Sequence, residues 1–166
     1  MTIETAATRA VAATGISHRV VEYGKVAGLE EAARKRGVPV EKVMKSLVVR
    51  TGKSDFVMVI VPGNRVIGWP KLRLAIGKSR MALATAEETL EVTGYPLGAI
   101  TPFGSRQALP VICDASVTGE ISIGGGAHGV AIHLNCDDLI AATGGRVADV
   151  TREANATGRG TRSPGR

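Results

Sequence analysis

Apolar residues in this chain fall in short blocks broken by Gly, Pro and charged side chains, and the blocks predict a series of short elements. Residues 5–14 predict a first helix, stopped by Gly15 as its C-cap. Residues 18–23 alternate loosely around Val20 and Val21 and read as a strand. A second helix spans 29–36, with Glu30 and Glu31 at its start and Arg34, Lys35 and Arg36 at its end, as the helix dipole favours. Pro39 suits the first turn of a short helix whose last turn holds Lys45 and runs into a buried strand at 46–50. A turn at 51–55 and an apolar strand at 56–61 complete an antiparallel hairpin.

Further on, 71–76 predicts a short helix and 81–84 a strand. Thr85 and Glu88 have the spacing of a capping box, and the helix they start ends at Gly94. Residues 95–107 carry Pro96, Gly98, Pro102 and Gly104, too broken for a helix or strand, yet Leu97, Ile100 and Phe103 are too apolar for a free linker. Such a loop is an ordered lid or a binding loop. Strands follow at 109–113, 120–123 and 130–134, then a helix at 138–143 capped by Asp137, then a last strand at 147–150. Helices are interspersed among strands rather than alternating with them, which predicts an α+β fold with a mixed, barrel-like sheet.

Composition narrows the class. The 166 residues suit one domain, placed at 1–150, and 44% hydrophobic residues suit a packed core. Aromatics are 3%, so aliphatic side chains must fill it, and a stacking platform for single-stranded RNA is disfavoured. No run of apolar residues is long enough for a membrane span. No leader is visible, and the lone Cys113 and Cys136 suit buried free thiols in a reducing cytoplasm. Net charge is +6, and half of it lies in residues 151–166, which read as a disordered basic tail. Arg65, Lys71, Arg73, Lys78 and Arg80 fall in one acid-free stretch, either a solvated face or a surface for a polyanion.

Candidate chemistry is sparse. Gly124-Gly125-Gly126 has no helix after it and lacks the phosphate-loop spacings, so it reads as a bulge or a place where a ligand nears the backbone. No serine or cysteine has a base at a diagnostic spacing, and His128 and His133 are too few for a metal cage. His128, between glycines, reads as accessible, and His133 as structural or outward-facing. Lys45 either lays its stem on apolar surface with the ammonium in water, or holds that ammonium at the mouth of a pocket. If the chain is an enzyme, it works by positioning a substrate, with Lys45 stabilising charge.

Several segments together resemble one family. They are Lys45-Ser46-Leu47-Val48-Val49, Val61-Pro62-Gly63-Asn64-Arg65, Lys71-Leu72-Arg73, the stretch 93–104, Leu109-Pro110-Val111 with Asp114, and the glycines at 124–126. Their order and spacing, over residues 15–150, resemble the YbaK/prolyl-tRNA-synthetase-associated editing domain. The resemblance implies a cytoplasmic, free-standing aminoacyl-tRNA deacylase. Its substrate would be mischarged tRNA, typically tRNA(Pro) carrying Cys, Ala or a similar small residue.

Position by position, Lys45 matches the family's functional lysine and Tyr23 a pocket tyrosine. Gly98, Thr101 and Pro102 fall in its GxxxP loop, and Ser46, Gly124, Gly125 and His128 are further candidates for binding substrate. Gly124 stands where the Cys-specific branch tends to have serine, and Ala131 where it has an acid. The implied partners are tRNA, gripped by the 65–80 cluster and the tail, and an aminoacyl-tRNA synthetase. No metal, other cofactor, membrane or DNA is expected. The alternative is a non-catalytic module on the same fold that binds tRNA ends, aminoacyl-adenylate-like ligands or a synthetase.

Overall fold

The computed structural model describes residues 3–154, and each α-helix in it stops at a glycine in the left-handed region. Thr5 caps α1 (Ala6–Thr14) in a reciprocal box with Thr8, and Gly15 ends it in the left-handed region. β1 (His18–Glu22) and α2 (Leu29–Arg36) follow. The helix expected to run into Lys45 is a single 3-10 turn, Val40–Lys42, and β2 already begins at Met44 (Met44–Arg50). The reason is burial: Val43 and Met44 are 4% and 5% exposed, and Met44 pairs with Pro62, which draws the chain into strand geometry. Lys45 is therefore the second residue of a strand.

β3 (Phe56–Pro62) pairs with β2 over its whole length, so the hairpin is observed. A short strand β4 (Arg65–Ile67) precedes α3 (Trp69–Ile76), which starts two residues earlier than expected because Pro70 fits its first turn. β5 (Ala82–Leu83) leads to α4 (Ala86–Thr93), where the Thr85–Glu88 capping box forms. β6 (Val111–Asp114), β7 (Glu120–Gly124) and β8 (Val130–Asn135) precede α5 (Cys136–Thr143). Its cap is Asn135, whose side chain accepts the Asp137 N–H at 2.8 Å; Asp137 lies inside the first turn. The single last strand expected at 147–150 is two, β9 (Arg146–Ala148) and β10 (Thr151–Glu153). They break at Val150, whose N–H turns to the Asp114 carboxylate at 2.9 Å. The fold thus reaches beyond residue 150, and the rest of the expected tail lies outside the described residues.

The architecture is α+β with a mixed sheet, in the order β5-β2-β3-β6-β9. β3–β6 and β6–β9 are parallel and the other pairs antiparallel. An antiparallel sheet, β1-β8-β7, and a ribbon, β10-β4, stand beside it, and no closed barrel forms among the described residues. Alternation along β3 builds two cores. Met58 and Ile60 face Ile121, Ile123, Ile132 and Leu134 of the antiparallel sheet, whereas Val57, Val59 and Val61 face Ile67, Leu72 and Val150. The two larger sheets touch where Val43 bridges Ser122, and a cavity opens beside that contact.

Candidate functional site

Two-stranded pairing explains the cavity. β2 is covered along one edge by β3, but on its other edge β5 pairs only with Val49 and Arg50. The edge opens between Val43, which bridges Ser122, and Val48, whose carbonyl accepts the Ala84 N–H at 2.9 Å. A cavity of about 490 Å³ fills the gap between β2, α2, the 97–100 loop and the end of β7. Tyr23, Lys45, Ser46, Gly98 and Gly124, all named from sequence, line it. Most of the remaining lining is apolar, including Val26, Leu29, Val43, Leu83 and Ile100.

Lys45 is half-buried, and its Nζ donates to the Arg65 carbonyl at 2.6 Å. Burial lowers its pKa, because leaving water penalises the ammonium more than the amine. Ser46 Oγ is buried without a partner. Sequence reasoning missed Arg36, which also lines the cavity and is 9% exposed. It donates to Ser122 Oγ at 3.1 Å and Tyr23 Oη at 2.9 Å, and its guanidinium stacks 4.7 Å from the Tyr23 ring centre.

The 95–107 loop is ordered. Tyr95 Oη donates to the Phe103 carbonyl at 2.7 Å, and the loop's far end returns to α4 through Arg106 N–H to Thr93 O at 3.0 Å. Gly98 sits at φ +90°, a conformation that side chains resist. His128 contacts the Leu97 carbonyl at 3.0 Å from outside, so it braces the loop rather than lining the cavity. Thr101 is fully buried and Pro102 partly so, and neither lines the cavity.

Of the glycine stretch, Gly124 lines the cavity and the next two glycines do not. Gly125 is buried and not part of the lining. Gly125 N–H bonds to Val130 O at 2.9 Å and Gly126 N–H to Ala99 O at 3.2 Å, so both donors are spent inside the fold. These glycines are small because backbone passes close by. A Cβ on Gly124 would meet Ile100 O at 2.5 Å, and one on Gly125 would meet Val130 O at 2.7 Å.

The basic cluster is partly neutralised by residues distant in sequence. Lys71 pairs with Asp149 at 3.0 Å and Lys78 with Asp55 at 3.8 Å. Arg65 donates to Thr151 Oγ1 at 2.6 Å. Arg73 and Arg80 have no ion-pair partner among the described residues. Both cysteines are buried free thiols, with Cys113 pushed up to about 12 by burial, so neither offers a thiolate. His133, 1% exposed, receives Arg19 Nη2 at Nδ1, 3.0 Å away. Burial, then the Arg19 charge, lowers its pKa. No group of metal ligands and no helix long and apolar enough to cross a membrane occurs among the described residues.

Lys45, Gly98 of the loop and Gly124 thus border one largely apolar cavity. In comparison with known proteins, the family model of the aminoacyl-tRNA editing domain matches residues 24–142. The chain belongs to the aminoacyl-tRNA editing domain family.

Among its relatives, the proline–tRNA ligase of Thermosipho africanus is 40% identical over 77 residues, which is 46% of this chain and 14% of the ligase. The chain thus spans about one seventh of that ligase's length. A candidate Cys-tRNA(Pro)/Cys-tRNA(Cys) deacylase, EbsC of Enterococcus faecalis, is 26% identical over 74% of this chain and 76% of its own. A solved structure described as a candidate trans-editing enzyme for prolyl-tRNA synthetase superposes with a TM-score of 0.82 at 28% identity. It covers 91% of this chain and 99% of its own. Gly124 and Ala131 are direct cross-strand partners on β7 and β8.

Proposed function

We propose that this editing domain is an aminoacyl-tRNA deacylase that acts in trans. It hydrolyses the ester joining a small, wrongly attached amino acid to the 3′ end of tRNA, with tRNA(Pro) carrying Cys, Ala or another small residue as the substrate class. The observation that carries the reading is that Tyr23, Lys45, Ser46, Gly98 and Gly124, from separate parts of the chain, line one cavity in a member of this family. The names of its relatives, a deacylase and proline–tRNA ligases, point the same way.

The ester is already activated, so the protein's task is to position it and to stabilise the charge that forms on its carbonyl oxygen. Lys45 is the cation for that charge, and its partial desolvation strengthens the interaction. Gly98 lets substrate approach the loop backbone without a side chain in the way. Water is the nucleophile. Arg73 and Arg80 supply the tRNA backbone with salt-dependent attraction. The work is cytoplasmic, beside the synthetase that makes the error.

The test is deacylation of tRNA(Pro) charged with Cys, Ala or Ser, with Pro-tRNA(Pro) as control. Rapid loss of one mischarged species with Pro-tRNA spared is the expected result. Binding of all four without hydrolysis of any would favour a non-catalytic tRNA-end module instead.

A further inference from the structure

The charges in the cavity are all of one sign. Its titratable lining residues are Lys45 on β2, Arg36 on α2 and the phenol of Tyr23 after β1; no Asp or Glu lines it among the described residues. Acids on the elements packed around it are turned elsewhere. Glu31 accepts the Ala27 N–H at 2.8 Å and pairs with Lys35 at 3.4 Å. Glu88 accepts the Thr85 N–H at 2.9 Å and pairs with Arg50 at 3.5 Å. Glu22 accepts the Ile3 N–H at 2.9 Å, and Glu30 is exposed. Lys45 leans on a carbonyl and Arg36 on two hydroxyls, so neither cation is neutralised by a carboxylate.

An amino acid esterified to tRNA presents an α-ammonium, and a carboxylate is the group that would stabilise that charge most strongly. Here the ammonium would meet two cations in an apolar enclosure, and both like charge and desolvation favour its neutral form. We propose that the cavity takes the aminoacyl group with its α-nitrogen uncharged, and therefore also hydrolyses N-acylated aminoacyl esters. This rests on the deacylase reading and narrows its substrate class.

Space permits it. A volume of about 490 Å³ lies within the usual range for small-ligand sites, and a small amino acid fills only part of it. The rim residues Leu83 and Leu97, 52% and 54% exposed, offer apolar surface for an acyl cap. The reaction balances as an ordinary hydrolysis. Water oxygen bonds to the ester carbonyl carbon, the bond from that carbon to the ribose oxygen breaks, and the ribose oxygen leaves with a proton. The products are an N-acyl amino acid and free tRNA.

The experiment uses the full chain and whichever of the Cys, Ala or Ser species of tRNA(Pro) it clears, with a free or an acetylated α-amine, at pH 6 and pH 8. Enzyme-free rates are subtracted. The acetylated ester is expected to be hydrolysed within about tenfold of the free-amine ester at pH 8. The ratio of acetylated to free-amine rate should then rise roughly thirtyfold from pH 8 to pH 6, following the neutral fraction of an α-amino group of pKa about 7.7. A free-amine ester cleaved while its acetylated form survives overturns the proposal, and so does a ratio that does not change with pH. Failure to cleave either ester, or any mischarged species, overturns the deacylase reading and this proposal with it.

Discussion

Gly124→Ala is the sharpest probe of how the cavity is built. The added Cβ would lie 2.5 Å from the Ile100 carbonyl oxygen and 3.2 Å from both the carbon and oxygen of the Ala99 carbonyl. A comfortable carbon–oxygen contact is about 3.3 Å, so the 99–100 backbone would have to retreat by about 0.8 Å. It has little room to do so. Ala99 is fully buried and Ile100 is 7% exposed, and the Ala99 carbonyl is tied to Gly126 N–H. Overpacking of this kind costs about 1–3 kcal/mol. Gly124 is not among the residues at positive φ, so alanine meets no backbone strain and recovers up to about 1 kcal/mol by stiffening the unfolded chain.

The expected net loss is about 1–2 kcal/mol, or roughly 2–8 °C in Tm for a domain of this size. Urea denaturation at 25 °C and a thermal melt measure it. Activity should suffer more than stability, because the displaced backbone carries Gly98 and Ile100 into the cavity. A misplacement near 1 Å costs on the order of a hundredfold in rate. A variant with wild-type urea midpoint and wild-type deacylation would refute the claim that the 99–100 backbone is held against β7.

Other substitutions test the remaining parts. Lys45→Met keeps the stem and removes the ammonium; deacylation should fall by about 10² to 10³, with Tm within a few degrees, and single-turnover rates that match wild type would remove Lys45 from the mechanism. Asp114 is 2% exposed; burial raises its pKa, but hydrogen bonds from Ser116 and Val150 outweigh that and hold it below the usual carboxylate value. Its stabilisation is therefore present above about pH 3.9 and lost as pH falls through the lowered folded value, and Asp114→Asn should flatten the fall of the urea midpoint below pH 4. Arg73→Ala and Arg80→Ala should each reduce the salt slope of tRNA binding by about one, whereas Lys78→Ala, already paired with Asp55, should change it less.

The elements that sequence located are those whose signals are local. Thr85, Glu88 and Gly94 bracket α4 within ten residues, and the alternation in β2 and β3 is continuous. β4 had no such signal: its three residues pair with Thr151–Glu153, more than eighty positions away, and only that pairing makes them a strand. The same distance hid the neutralisation of the basic cluster. Lys71 stands in an acid-free stretch of sequence, yet it faces Asp149 once β10 has joined β4.

Arg36 shows why a cavity is harder to read than a fold. At the end of α2 its charge has a sufficient local reason in the helix dipole, and nothing nearby in sequence asks for another. Its contacts to Tyr23 and Ser122 exist only because the fold brings the end of α2 beside the chain after β1 and beside β7. The glycine stretch was legible only in part: its sequence suggested a bulge or a place where a ligand nears the backbone, whereas close packing of Gly124 against Ile100 and of Gly125 against Val130 is what excludes larger side chains. Gly124 and Ala131 belong to that packing as a cross-strand pair, so they are best understood as one difference. A serine at 124 alone would strike Ile100, and an acid at 131 alone would stand fully buried beside a glycine with no hydroxyl to answer it. Converting this cavity to one with a polar floor therefore requires both substitutions and a shifted loop, and either change alone should lose stability without gaining a new specificity.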